Sequence, residues 1–229
     1  IIIIMKVIKM KILKKTSLII ISTALILTST VFAKSFRDTR GHWAESSIDF
    51  ITDKGIMSGY DDNTFKPNEN MTRVEFYATV NSLIGFDKTY TVTFSDVNTS
   101  DWYYSDVAKG IKAGYITPTT GKLNPERDIT REEVAEILGY VYSLPTKASA
   151  TNEFGDKNKI SESARGYVGA LVDAGILRGY SDGNFYPTRS IRRSEAATLF
   201  RSMISNYNYP QKKALNNSKI KFGSRNLYE

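Results

Sequence analysis

A five-residue stretch that occurs three times constrains this chain more than any other feature. The copies are Met71-Thr72-Arg73-Val74-Glu75, Ile129-Thr130-Arg131-Glu132-Glu133 and Ile191-Arg192-Arg193-Ser194-Glu195. The arginines of successive copies stand 58 and 62 residues apart. Repetition at a fixed period of this size predicts an architecture built from one supersecondary unit used three times.

Each copy of the stretch predicts the start of an amphipathic helix. Thr72 with Glu75, and Thr130 with Glu133, have the spacing of a capping box, in which hydroxyl and carboxylate each accept a backbone N–H. Apolar residues follow at helical spacing in all three copies: Phe76, Val80, Leu83 and Ile84; Val134, Leu138, Val141 and Tyr142; Ala196, Phe200, Met203 and Ile204. In the third copy Arg192 replaces the capping Thr, so we expect that helix to start less firmly, at a cost of about 1 kcal/mol.

A shorter first helix is predicted before each of these stretches. It ends at a glycine, the residue that a left-handed helix cap favours; the three glycines are Gly55, Gly114 and Gly175. A turn-rich link then leads to Pro67, Pro125 or Pro187, and we expect Phe65, Leu123 and Phe185 in these links to fill the gap between the two helices. The pattern predicts an all-α fold of three helix-loop-helix repeats.

The first 33 residues read as a secretory signal peptide. Lysines precede an apolar stretch from Leu18 to Val31, and Ala33 closes a small-residue cleavage signal. The stretch is shorter than the ~20 residues that cross a bilayer, which disfavours the alternative of a membrane anchor. Residues 1 to 4 precede any Met and are interpreted as spurious upstream sequence. The segment 1–33 carries five lysines and no acid, so its removal lowers the net charge from +7 to about +2.

Composition excludes several classes of function. With so small a remaining charge, no basic stripe is left for nucleic acid, and no basic amphipathic helix for a membrane surface. The absence of Cys excludes disulfides and thiolate metal sites. His42 is the only histidine and stands in no catalytic motif, so we expect no enzyme activity, no cofactor and no metal. The oxygen-rich runs 61–63 and 182–184 lack the alternation of a calcium loop and are interpreted as turns.

The three motif arginines stand at the first helical position, where exposed N–H groups favour an anion over a cation. A cation at this position is slightly unfavourable for the helix, and two interpretations explain why it occurs in all three copies. The guanidinium groups of Arg73, Arg131 and Arg193 bind an external carboxylate or phosphate, or they bridge to a carboxylate of a neighbouring repeat. The residues alone leave both open.

The repeats resemble S-layer homology modules. The resemblance rests on the opening Phe-x-Asp, the string Gly41-His42-Trp43-Ala44, the link Gly-Tyr-x-Asp-x-x-Phe-x-Pro and the helix start Thr-Arg-x-Glu, over about residues 36 to 205. It implies a pseudo-threefold all-helical unit with a central bundle of one helix from each repeat. The expected boundaries are 34–88, 92–147 and 150–207 for the repeats, followed by a flexible tail over 208–229.

The resemblance also implies a function. Such modules are non-catalytic anchors of exported proteins at the bacterial cell wall, where they bind a secondary polysaccharide linked to peptidoglycan, typically through a pyruvate ketal. Binding lies in grooves between repeats, and the motif arginine contacts the pyruvate carboxylate. Other S-layer subunits are further candidate partners. The alternative is a wall-associated glycan hydrolase or the anchor fragment of a longer surface enzyme.

Carried over to this sequence, the family pattern nominates specific residues. Arg73 and Arg131 are the strongest candidates, and Arg193, whose repeat lacks both the capping Thr and a Trp, is the weakest. Six further candidates have simpler interpretations as caps, core or turn: Asp38, Asp96, Trp43, Trp102, Gly59 and Tyr60. We expect replacement of Arg73 or Arg131 by Ala to weaken polysaccharide binding and leave the fold intact.

Overall fold

The computed structural model describes residues 35–210 and the backbone of two short strands near the C-terminus. The predicted signal peptide lies outside these residues, as does most of the predicted tail. Six α-helices are described: α1 (Glu45–Asp53), α2 (Arg73–Ile84), α3 (Tyr104–Ala113), α4 (Arg131–Val141), α5 (Glu162–Asp173) and α6 (Arg193–Tyr207). Two 3₁₀ helices cover Ala148–Glu153 and Lys157–Lys159, and an antiparallel pair joins β1 (Lys221–Phe222) to β2 (Arg225–Asn226). The predicted all-α class is confirmed.

The helix ends lie where local chemistry predicted them. The Thr72 hydroxyl accepts from Glu75 N while Glu75 Oε2 accepts from Thr72 N at 2.8 Å, and Thr130 with Glu133 repeats this exchange. At α6 only the glutamate part of the capping box is present: Glu195 Oε2 accepts from Arg192 N at 2.8 Å. All three expected glycines have positive φ beyond the first helices.

Helices pack between repeats in cyclic order. The first helix of each repeat lies against the second helix of the repeat before it: α3 against α2, α5 against α4, and α1 against α6. The last of these contacts joins repeat 3 to repeat 1 and closes the repeats into a ring. Towards the centre the rings of Phe76 on α2 and Phe200 on α6 lie 5.2 Å apart, and Leu138 on α4 is fully buried.

A cycle of three backbone hydrogen bonds marks the pseudo-threefold axis. Met71 N donates to Ile191 O at 3.0 Å, Ile191 N to Ile129 O at 3.1 Å, and Ile129 N to Met71 O at 2.9 Å. These are the buried residues directly before the three N-caps. Each repeat therefore fixes the start of the next motif helix through its own backbone. None of the helices within residues 35–210 has the length and apolar character needed to cross a bilayer.

Candidate functional site

Two motif arginines tie neighbouring repeats together. Arg131 donates from Nε to Phe185 O at 3.0 Å and from Nη2 to Arg178 O at 2.8 Å. Arg193 makes the equivalent pair, to Phe65 O at 2.9 Å and Ser58 O at 2.8 Å. They are only 7% and 5% exposed. Both side chains thus reach across a repeat boundary and hold the link of the adjoining repeat in place.

Arg73 is held differently, and the link that it contacts, from Gly114 to Pro125 in repeat 2, is one residue shorter than the links of the other two repeats. Its Nη1 donates to Leu123 O, and its buried Nε has no hydrogen-bond partner among the described atoms. The nearest carboxylate oxygen, Glu133 Oε1, lies 3.6 Å from that Nε. Arg73 is also more exposed than its two counterparts. Arg73 thus donates to one carbonyl of the adjoining repeat, whereas Arg131 and Arg193 each donate to two.

Each motif arginine also faces the capping glutamate of an adjoining repeat. Arg193 Nη1 lies 3.6 Å from Glu75 Oε1, which repeats the separation between Arg73 and Glu133. Burial lowers the pKa of Arg131, and the charge of Glu195 opposes this shift. The arrangement expected for a bridge to a carboxylate of a neighbouring repeat is therefore present at Arg73 and Arg193. Since 3.6 Å exceeds a hydrogen-bond length, these ion pairs are loose.

A first cleft, here the Arg193 cleft, has a volume of about 340 Å³ and draws residues from all three repeats. Arg193 comes from repeat 3, Gly59, Tyr60 and Glu75 from repeat 1, and Trp102 from repeat 2. The Tyr60 hydroxyl donates to Glu75 Oε1 at 3.1 Å, and the Arg193 guanidinium lies 4.9 Å from the Tyr60 ring centre. Hydroxyls of Ser58, Thr79 and Ser82 belong to the same lining.

A second cleft, here the Arg73 cleft, occupies the equivalent position one repeat further on, with a volume of about 320 Å³. Arg73 and Tyr77 of α2 face Glu133 and Glu136 of α4. Burial raises the pKa of Tyr77 to about 12 and also raises the pKa of Glu136. The link of repeat 2 completes the lining with Tyr115, Ile116, Thr117, Thr119, Lys122 and Leu123. Ser163, which stands where repeat 2 has Trp102, hydrogen-bonds to Glu136.

The tryptophans are surface residues, so their interpretation as core is wrong. Trp43 and Trp102 are 65% and 64% exposed, and each lies before its helix. A turn at the helix start directs the rings outward while Ala44 and Tyr103 next to them are buried. Trp102 lines the Arg193 cleft, whereas Trp43, whose ring lies 5.5 Å from His42, belongs to neither lining.

The opening aspartates hold the links. Asp38 accepts from Phe65 N and Lys66 N, both at 2.8 Å, and Asp96 accepts from Leu123 N at 2.7 Å and Asn124 N at 2.8 Å. In repeat 3 Asp156 makes the same pair of bonds, to Phe185 N and Tyr186 N. The second donor in each pair has positive φ, which costs energy in a residue with a side chain. The carboxylates stabilise these strained turns and line neither cleft.

Several residues that line the clefts were missed by sequence reasoning. Tyr77 lies one turn after Arg73 on the same face of α2, and this spacing is a signal that could have found it. Lys122 and Glu136 reach the Arg73 cleft from the link and from α4 of repeat 2, and only the packing between repeats brings them to Arg73. Within the described residues, no group of three or more His, Asp or Glu could hold a metal ion.

Three helix-loop-helix repeats closed into a ring, with a cleft at each of two repeat boundaries, define an all-helical module. A family model described as S-layer homology domain matches residues 35–76, 93–135 and 153–197. These segments cover more than half of the chain, so the chain belongs to the S-layer homology domain family. Each matched segment falls within one of the three predicted repeats.

Individual relatives give the same result. An amylopullulanase of Thermoanaerobacterium thermosulfurigenes is 32% identical over 178 residues, 76% of this chain and 10% of that protein. Exoglucanase XynX of Acetivibrio thermocellus is 31% identical over 187 residues, 79% of this chain and 17% of that protein. An S-layer protein of Bacillus thuringiensis subsp. finitimus is 30% identical over 169 residues, 72% of this chain and 20% of that protein.

The chain spans between a tenth and a fifth of the length of these relatives. Two of them are named as enzymes and one as an S-layer protein, and what they have in common with this chain is the S-layer homology region. That region is an anchoring module, and the chain is accordingly a module for anchoring at the cell surface.

Proposed function

We propose that this module anchors itself by binding, without a covalent bond, an anionic secondary polysaccharide of the bacterial cell wall in the clefts between its repeats. The observation that carries the proposal is the pair of clefts of about 320 and 340 Å³, each walled by a motif arginine from one repeat and by the link of the next. A sugar that bears a carboxylate, such as a pyruvate ketal, matches a guanidinium in charge and in bidentate geometry. In that setting the chain acts as a component of an S-layer or of another surface protein.

The Arg73 cleft is the stronger candidate for the acidic group. Arg73 and Lys122 supply two positive charges, and the buried Nε of Arg73 has no hydrogen-bond partner among the described atoms. Two carboxylates, Glu133 and Glu136, oppose them, but Glu133 is shared with Arg127. A ligand carboxylate therefore meets a cleft in which the cations are only partly neutralised.

The Arg193 cleft is suited to the body of a saccharide. The Nε and Nη2 atoms of Arg193 donate to backbone carbonyls. We therefore propose that Arg193 contributes to binding through its positive charge and as a fixed wall of the cleft. Trp102 adds an exposed aromatic face, and Ser58 and Ser82 add hydroxyls. We therefore rank Arg193 with Arg73 for binding, above its position in the sequence-based ranking, and place Gly59 and Tyr60 in its cleft. We propose that Arg131, Asp38 and Asp96 do not contact the ligand but hold the links in place through their hydrogen bonds.

The test is co-sedimentation of residues 34–229 with purified cell walls before and after chemical removal of the secondary polysaccharide. We expect binding to intact walls and its loss from stripped walls. Equal binding to both preparations would overturn the proposal. Trp102→Ala should weaken binding, because it removes a wall of the Arg193 cleft. Tyr209→Ala is the control, since Tyr209 is also an exposed aromatic residue and lines neither cleft, and it should bind as the unchanged protein does.

A further inference from the structure

A third cleft lies away from the motif arginines. It has a volume of about 460 Å³ and opens between the connection that joins repeat 1 to repeat 2 and the first turns of α3. Thr89, Tyr90 and Thr91 line it from the connection, and Tyr104, Ser105 and Ala108 line it from α3. The matched segments of the family model leave out the connection residues, which fall between 76 and 93.

The cleft exists because the connection stands away from α3. Tyr90 N donates to Ala108 O at 3.0 Å and pins the segment at one point. In repeat 3 the positions equivalent to Ser105 and Ala108 are Gly166 and Gly169, and there the connection packs directly on the helix. A Cβ at Gly166 would lie 2.7 Å from Thr146 Cβ, and one at Gly169 would lie 2.0 Å from Lys147 O. The side chains of Ser105 and Ala108 therefore hold the first connection away.

The chemistry of this lining differs from that of the arginine clefts. None of its six described lining residues is charged, five carry a hydroxyl, and two present aromatic rings. Tyr90 is 51% exposed, and the Lys112 ammonium lies 5.8 Å from its ring centre. The bond from Tyr90 N to Ala108 O fixes the backbone that carries this ring. Rigid aromatic faces next to several hydroxyls suit a ligand with apolar C–H faces and many hydroxyl groups.

We propose that this cleft is a second carbohydrate site, which takes an uncharged pyranose unit of a wall glycan and acts independently of the arginine clefts. The Tyr90 ring supplies the surface against which the sugar face packs. The hydroxyls of Thr89, Thr91 and Ser105 exchange hydrogen bonds with those of the sugar. A chain that also binds an anionic polymer would then contact the wall at two chemically distinct points.

The test uses soluble neutral oligosaccharides, namely a β-1,4-linked tetramer of N-acetylglucosamine and the corresponding glucose tetramer, titrated into residues 34–229 by calorimetry and NMR. We expect at least one of them to bind with an affinity that hardly changes between ~50 and ~500 mM salt, because no charged group lines the cleft. Tyr90→Ala should weaken binding about tenfold or more, and Ser105→Phe should block the cleft.

Tyr209→Ala is the matched control, because Tyr209 is 43% exposed and also has a lysine ammonium, that of Lys54, 6.0 Å from its ring centre. It should leave oligosaccharide binding unchanged, and so should Arg73→Ala. Absence of binding for both tetramers would overturn the proposal, and so would binding that survives Tyr90→Ala or is lost in Arg73→Ala. Failure of the wall co-sedimentation test would leave these results unaffected, so the two proposals fail separately.

Discussion

The motif arginine serves the fold before it serves any ligand. At the first helical position its cation is unfavourable for the helix, and in all three copies that cost is offset by hydrogen bonds to carbonyls of an adjoining repeat, two each from Arg131 and Arg193 and one from Arg73. Arg73 departs from this pattern, because its Nε has no hydrogen-bond partner among the described atoms. The three copies of one sequence motif therefore differ in how much of the guanidinium is left for binding.

Arg131→Ala should destabilise the protein, contrary to the expectation that this substitution leaves the fold intact. It would leave the carbonyl of the fully buried Phe185 without its donor, at a cost of about 2 kcal/mol. Urea unfolding of the variant measures this loss. The exposed Arg37, whose side chain pairs with Asp62 on the surface, provides the control substitution, which should have little effect. An unchanged unfolding midpoint for Arg131→Ala would show that its carbonyl contacts contribute nothing.

Glu136→Gln should stabilise the protein at neutral pH. Burial, with smaller effects from Glu132 and Glu133, raises the pKa of Glu136 above its usual 4.5, so the folded state binds this proton more tightly than the unfolded chain. The free energy of unfolding of the unchanged protein therefore falls as pH rises from 4.5 to the higher pKa of the folded state. Above that pKa the whole of this destabilisation is present. The glutamine variant lacks this loss.

Thermal unfolding across pH checks the sign of that effect. The melting temperature of Glu136→Gln should exceed that of the unchanged protein at pH 7, and the difference should shrink on acidification and vanish below the unfolded value of 4.5. A difference of constant size at every pH would mean that the substitution acts through packing or through the hydrogen bond to Ser163. Glu162→Gln, at an exposed position in the first turn of α5, serves as control.

Among the three motif helices α2, α4 and α6, α6 has the weakest start. Its N-cap, Arg192, has no side-chain capping hydrogen bond, whereas Thr72 and Thr130 both accept from the third residue of their helices. Arg192→Thr should therefore add a missing hydrogen bond and stabilise the protein by about 1 kcal/mol. Chemical unfolding measures the gain. Arg192→Ala, which removes the same side chain without adding an acceptor, should not stabilise the protein. Equal stability of the two variants would refute the interpretation that a capping hydrogen bond is missing at α6.

Helix boundaries could be predicted from the sequence, but helix partners could not. The capping pair Thr72 and Glu75 and the glycines Gly55 and Gly114 determine helix ends through contacts with residues close in sequence. Their effect can therefore be predicted from the sequence of a single repeat. Which second helix receives α1 depends on the closure of the whole ring. Every repeat carries similar apolar stripes, so α1 could pack on α2 or on α6 with no local signal to choose between them.

The same limit applied to the clefts. Sequence reasoning expected binding in grooves between repeats but ranked each arginine by the residues of its own repeat, which paired Arg193 with Ser163 and made that copy the weakest. In the structure Arg193 lies with Tyr60 of repeat 1 and Trp102 of repeat 2. The missing tryptophan instead affects the surroundings of Glu136, beside the Arg73 cleft. The grouping of the residues that line each cleft required the order of packing around the ring.

At the scale of the whole molecule, a symmetric frame carries unequal surfaces. The cycle through Met71, Ile129 and Ile191 and the aspartate contacts to the links are repeated almost without change. The clefts built on this frame differ in volume, in charge and in aromatic lining. Repetition thus fixes the backbone, while substitutions at a few positions such as Ser163 and Lys122 give each boundary its own chemistry.

Closure of the ring also determines how the module bears mechanical load. In an open row of repeats, a pull on the last one is opposed by a single interface, and repeats can peel off in turn. Here repeat 3 contacts repeat 2 through α4 and α5, and repeat 1 through α1 and α6 and the Arg193 hydrogen bonds. Stretching the folded module between residues 35 and 210 should therefore give one rupture instead of three successive ones. A staircase of three would mean that the repeats yield independently, and a tether held at a cell surface would then lengthen under tension before it let go.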